Sequence, residues 1–112
     1  MSASVVRILH DLVARGGLQE RDIANIVGVS TATVWRWSHG SATPTVHTQT
    51  VIADLRYVVD RLSDFYTADE TRLWLHARHS LLNNERAIDL IDADRTEAVI
   101  AAIERLDADA FI

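Results

Sequence analysis

The sequence predicts an all-α fold, with an N-terminal helix-turn-helix packed against a C-terminal helical region. Three observations predict it. Apolar residues recur every three or four positions through most of the chain, which places them on one face of a helix. Glycine numbers 4 and proline 1 in 112 residues, too few for a turn-rich sandwich. No window alternates apolar and polar residues over the length of a strand.

The elements follow in order. Val5, Ile8, Leu9, Leu12 and Val13 form one apolar stripe, and Gly16-Gly17 ends that first helix. Leu18 to Val27 reads as a second, short helix stopped by Gly28. Ser30 to His39 reads as a third, with Ser30 as N-cap and Gly40 as the C-terminal stop. The Ser/Thr-rich stretch around Pro44 marks a boundary, because proline lacks an N–H and biases Thr43 away from helix. It divides the chain into residues 1–48 and 49–112. Beyond it, Val51, Leu55, Val58, Leu62 and Phe65 make one stripe, while Ile52, Val59 and Tyr66 make another beside it. Two stripes are wide for a surface helix, so another helix or another subunit is expected to cover part of this one. Thr67-Ala68-Asp69-Glu70 is a capping box opening a helix with Leu73, Trp74 and Ala77. Asn83-Asn84 separates it from a helix over Glu85 to Ile91. Asp94-Arg95-Thr96-Glu97 reads as a second cap, opening a last helix with Val99, Ile100, Ile103 and Leu106.

Composition narrows the function. Cysteine is absent, which removes disulfides, thiolate zinc sites and cysteine nucleophiles together. No apolar run is long enough to span a membrane. Arg7, His10 and Asp11 interrupt the first apolar stretch, so no secretory leader is expected and the cytoplasm is the expected location. The net charge is −5, unevenly spread. Residues 1–50 hold four arginines against three acids, a net of +1. Residues 51–112 hold seven arginines against thirteen acids, a net of −6.

The segment LQERDIANIVGVSTATVWRWSHG has helix-turn-helix spacing. Two helices cross tightly where a small residue lies between them, and Ala24 fits that place. Gly28 supplies the left-handed turn four residues on. Val29, Val34 and Trp37 then face inward, and Thr31, Ala32, Thr33 and Arg36 face outward. Arg36 suits a guanine edge or a phosphate, and the threonines and the Ala32 methyl suit base edges and thymine methyls. Gln19, Arg21, His39 and Ser41 flank them as backbone-positioning groups. The segment resembles the Xre and phage-repressor helix-turn-helix, which implies operator DNA as a partner. A plain αα-hairpin with a solvated face is the alternative. A domain of net +1 gains little from counterion release as a monomer, so DNA binding calls for a dimer. Trp35 is expected to pack at the helix edge.

The C-terminal region offers no nucleophile–base pair, so the chain is not expected to be an enzyme. His76 and His79 stand i, i+3 without a third ligand and read as solvated rather than as a metal site. Asp89, Asp92 and Asp94 lack the glycine and glutamate of an EF-hand. No metal or cofactor is expected.

The order Trp74-Leu75, Leu81-Leu82, Asp89-Leu90-Ile91, last helix and short Phe-Ile tail resembles the toxin-binding domain of MbcA/ParS/Xre antitoxins. With the helix-turn-helix ahead of it, the resemblance runs nearly end to end. Family members often carry proline where this chain has Ala87, and glycine where it has Ala93-Asp94. The resemblance implies an antitoxin that dimerises and inhibits a RES-domain, NAD⁺-consuming toxin. It also implies autoregulation of its operon. The C-terminal segment would obstruct the NAD⁺ pocket, which assigns Trp74, Arg105, Asp107, Asp109, Ala110, Phe111 and Ile112 to toxin binding. A cleft for NAD⁺ carries cations and apolar walls, and this acidic and apolar tail complements both. The alternative is a transcriptional repressor whose C-terminal half only dimerises or senses a ligand. In that reading the tail tucks onto its own core.

Overall fold

The computed structural model describes residues 2–109, with side chains from Ser4 onward. Seven helices fill most of this range, and two strands of two residues each form a small hairpin.

Helix α1 (Ser2–Gly16) buries Val5, Leu9 and Leu12 as its stripe predicts, but Val13 at the stripe's edge is 46% exposed. The turn after it needs Gly17. Its φ is +63°, and a Cβ there would stand 2.8 Å from the carbonyl oxygen of Ala68. The α1 end therefore lies directly on the start of a helix fifty residues away, a contact open only to glycine.

Helix α2 (Glu20–Val27) starts two residues later than the sequence suggests. Leu18 is fully buried, but its N–H reaches back to the Leu12 carbonyl and does not join the new helix. Helix α3 (Thr31–Ser38) has Ser30 as N-cap, as expected, accepting the Thr33 N–H at 3.1 Å. Gly28 between them has φ +75°, and its N–H closes on Ala24. Ala24, Val34 and Trp37 are buried and Val29 is half-buried, so the inward face matches the sequence reading.

Helix α4 (Val46–Leu62) resolves the double stripe. Val51, Ile52, Leu55, Val58, Val59 and Leu62 are all buried. α1 lies on one side, and the last two helices lie on the other. The chain thus covers both stripes itself.

Helix α5 (Ala68–His76) has its capping box, with the Thr67 N–H donating to Glu70 at 2.9 Å. Its inward residues are Thr71 and Leu75. Leu73, one of the apolar residues the sequence puts on this helix, is 65% exposed, and Ala77 is exposed too. Nine residues hold too few apolar positions to fix the phase of a helix.

The next segment departs from an all-helical reading in detail. β1 (Arg78–His79) pairs antiparallel with β2 (Glu85–Arg86) around a single 3₁₀ turn. Asn83 and Asn84 both take positive φ, which asparagine tolerates better than most residues. The helix expected from Glu85 therefore begins at Ala87, as α6 (Ala87–Asp92). Asp94 is a second correction. It takes φ +61°, so it cannot be an N-cap, which needs an extended backbone. It fills a left-handed turn, a conformation that glycine adopts most readily. Helix α7 (Thr96–Asp109) starts after it, and the Thr96 hydroxyl donates to Asp54 of α4 at 2.9 Å. Val99, Ala102 and Ile103 seat α7 on α4 and α6.

Contacts cross the residue 48/49 boundary in several places. α1 packs on α4 and α5, and α2 packs on α6. Arg56 pairs with Asp11 at 3.1 Å, and Arg15 with Asp60 at 2.8 Å.

Candidate functional site

Two faces carry the residues singled out in the sequence. The first is the outer face of α2 and α3. Thr31, Ala32 and Arg36 are exposed on α3, with Gln19 and Arg21 exposed at the start of α2. Gln19 serves as the N-cap of α2, and its N–H donates to Asp22 at 2.9 Å. Thr33 is half-buried, because its hydroxyl lies 2.9 Å from that of Ser30 and accepts from Arg36 at 3.1 Å. That bond holds the guanidinium along the helix surface. Trp35 is 49% exposed and stacks on His39, with ring centroids 3.9 Å apart. The His39 Nδ1 lies 2.8 Å from the Trp35 carbonyl oxygen and 3.1 Å from the Ser38 hydroxyl. Trp35 thus packs at the helix edge as expected, with His39 as its partner.

Behind this face, Asp22 is a carboxylate only 7% exposed. Arg72 of α5 grips it with Nε at 3.3 Å and Nη2 at 3.2 Å, a fork across fifty residues. Burial pushes the Asp22 carboxyl up. The Arg72 hydrogen bonds, the Gln19 N–H and the charges of Arg72 and His76 outweigh it and leave the pKa below the ordinary 3.8. The Arg86 fork does the same for Asp89, against a smaller effect of burial. Because both carboxyls are held low, the unfolded chain takes up protons first as pH falls. Their stabilisation is present above the ordinary carboxyl value of 3.8 and is lost as the pH falls below it through the lowered folded-state values. An acid titration followed by helical circular dichroism is expected to show this loss, and Asp22→Asn is expected to flatten it. An unchanged acid limb in that variant removes the pair as the cause.

The second face gathers Trp74 and the end of α7. Trp74 is half-buried, and its ring lies tilted against His79, centroids 4.4 Å apart. The two histidines are not simply solvated. His79 Nε2 bonds the Trp74 carbonyl at 2.7 Å, and His76 Nδ1 bonds that of Arg72 at 2.9 Å. Trp74, His79 and Leu81 border a hollow of about 120 Å³ against Ala102 and Leu106 of α7. The fold therefore brings Trp74 beside the last turns of α7. Leu73 and Leu81, neither singled out in the sequence as binding residues, add exposed apolar surface to the same region of chain. Arg105 and Asp109 are exposed. Asp107 has a partner within the chain, Arg61 of α4 at 3.9 Å. Ala110, Phe111 and Ile112 lie outside the described residues.

Against known proteins, the chain is 34% identical over 96 residues to a probable mycobacterial cidal antitoxin of Mycobacterium tuberculosis. The match covers 86% of this chain and 82% of the relative. The chain belongs to the MbcA-type antitoxin family. The cidal antitoxin MbcA of Mycobacterium bovis is 26% identical over 100 residues, 89% of this chain and 88% of that one. In the crystal structure of the M. tuberculosis MbcT–MbcA toxin–antitoxin complex, one chain superposes with a TM-score of 0.82. The superposition covers 96% of both chains at 24% identity, so it shows that this MbcA-type chain has the same fold. No family model matches the sequence. Among the described residues, no helix is long and apolar enough to cross a membrane.

Proposed function

We propose that this MbcA-type antitoxin binds and inhibits a RES-domain, NAD⁺-consuming toxin by obstructing the toxin's NAD⁺ pocket with its C-terminal segment. The observation that carries the reading is the kinship with mycobacterial cidal antitoxins along most of the chain. The crystallised relative of the same fold sits in a toxin–antitoxin complex. The second face supports it. Arg105 and Asp109, exposed, and Asp107, half-exposed, stand on α7, whose Ala102 and Leu106 border the Trp74 hollow, and in the sequence an apolar Phe111-Ile112 end follows them. Acids offer a substitute for the pyrophosphate, and apolar side chains suit the walls that hold rings. The test is to co-express the chain with a RES-domain toxin and follow NAD⁺ loss and co-purification. Stoichiometric arrest of NAD⁺ loss is expected, and undiminished loss in a formed complex overturns pocket obstruction.

The same reading includes operator binding by a dimer through α2 and α3. Arg36, Thr31 and Ala32 stand together on the exposed face, and the helix positions the guanidinium in advance. Arg36→Ala is expected to weaken operator binding about tenfold, and to lower the slope of log K against log salt by about one if it holds a phosphate. Toxin binding stays unchanged. Equal operator affinity for variant and wild type, in a gel-shift series over salt, removes Arg36 from the DNA contacts.

A further inference from the structure

Helix α4 has a third face, open to solvent. Val46, Thr50, Ala53 and Tyr57 follow at intervals of four, three and four, one line along the side opposite its buried residues. Val46 is 80% exposed and Tyr57 48%, and Thr50 and Ala53 are exposed too. The solvent face of a helix ordinarily carries charge. Here every charged residue of α4 is drawn off the line to a partner in the fold. Asp54 meets Thr96, Arg56 meets Asp11, Asp60 meets Arg15 and Arg61 meets Asp107. The hydroxyl of Thr50 is satisfied as well. It donates to the Val46 carbonyl at 3.2 Å, so covering it strands no hydrogen-bonding group.

We propose that this line is a docking surface for a second copy of the chain, with the two α4 helices packed antiparallel. Pattern, charge and size choose that partner. The line is its own complement, with larger side chains at its ends and small ones at its centre. A half-turn about its middle sets Val46 against Tyr57 of the second copy, and Thr50 against Ala53, as a twofold contact requires. Each chain carries −5, so two copies repel, and the uncharged line is where they meet without opposing like charges. The 17 residues of α4 are about 25 Å long. A contact of that length falls under the roughly 1,200 Å² of a stable interface, so the dimer is weak, with a Kd on the order of 10–100 µM. None of the residues assigned to DNA or toxin lies on the line. The contact supplies the dimer that the operator reading calls for, and rests on that reading for its use alone.

The test uses the full chain without DNA or toxin. Sedimentation equilibrium is expected to show a monomer–dimer equilibrium. Ala53→Arg is expected to raise its Kd at least about thirtyfold, because two like charges then face each other across the centre. The chain has no cysteine, so single introduced cysteines report the geometry. A mixture of Val46→Cys and Tyr57→Cys chains is expected to oxidise to a cross-linked pair. Val46→Cys alone is not, because its two copies stand about 16 Å apart along antiparallel helices, beyond the roughly 7 Å that a disulfide spans. These variants keep the buried faces of α4, so they decide the matter even if Ala53→Arg fails to fold. A chain that stays monomeric at millimolar concentration overturns the proposal. So does a dimer that Ala53→Arg leaves unchanged, or cross-linking of Val46→Cys alone. A chain that dimerises in this way but binds no operator counts against the operator reading and leaves the contact standing.

Discussion

Removal of residues 108–112 is expected to abolish inhibition of the toxin while leaving the fold and operator binding intact. The two halves of that result have separate physical grounds. The buried residues of α7 are Thr96, Val99, Ala102 and Ile103, all well before the cut. Ala108 and Asp109 are exposed, so their loss is expected to change stability by no more than about 0.5 kcal/mol. Binding is another matter. Burying Phe111 and Ile112 in an apolar site contributes roughly 1.5–3 kcal/mol each. Together they account for a factor of at least about a hundred in affinity. The measurement is NAD⁺ consumption by the toxin against rising amounts of full-length or truncated chain, with thermal unfolding of both. A truncated chain that still arrests the toxin at one-to-one stoichiometry sinks the obstruction model. Inhibition would then rest on the Trp74 face, and Trp74→Ala in the truncated background would locate it.

Leu55→Ala is expected to cost about 2–5 kcal/mol, a large share of the 5–15 kcal/mol that holds a typical domain. Leu55 is fully buried on α4, where helices from both parts of the chain meet. The loss is expected to appear as one cooperative transition shifted down by roughly 10 °C or more. The shared α4 core, the Asp22–Arg72 fork and the Gly17 contact on Ala68 all tie residues 1–48 to the later helices. Two separate transitions, with only the later residues affected, would show that the halves fold independently. Calorimetry together with circular dichroism distinguishes these outcomes.

Much of the fold was legible in the residues. The α4 stripes predicted a wide buried face because two apolar series run side by side from Val51 to Tyr66. Ala24, Gly28 and Ser30 predicted the α2 turn α3 arrangement because each has one local job: close packing, positive φ and capping. The failures were physical too. α5 is short, so its apolar residues left its phase open, and only the structure shows Leu75 buried and Leu73 exposed. Strands of two residues leave no alternation to detect. Asp94 looked like a cap by composition, yet its backbone was needed for a left-handed turn. The Asp22–Arg72 fork joins residues fifty apart, and no spacing rule reaches across that distance. Of the site residues, the exposed ones on α3 could be placed by helical phase. The Trp74 hollow could not, since it depends on α7 returning to lie against α5 and its hairpin.

The doubly buried α4 also sets a length. A helix gripped on two sides cannot act as a hinge, so the span from the outer face of α3 to the end of α7 is fixed by the fold. When a complex holds several antitoxin copies by their α7 ends, it also fixes the distances between their α3 faces. Helix-turn-helix dimers read half-sites about one turn of DNA apart, roughly 34 Å, or multiples of it. Under the proposed function, the toxin assembly then works as a ruler, and the spacing of operator half-sites records the geometry of the complex.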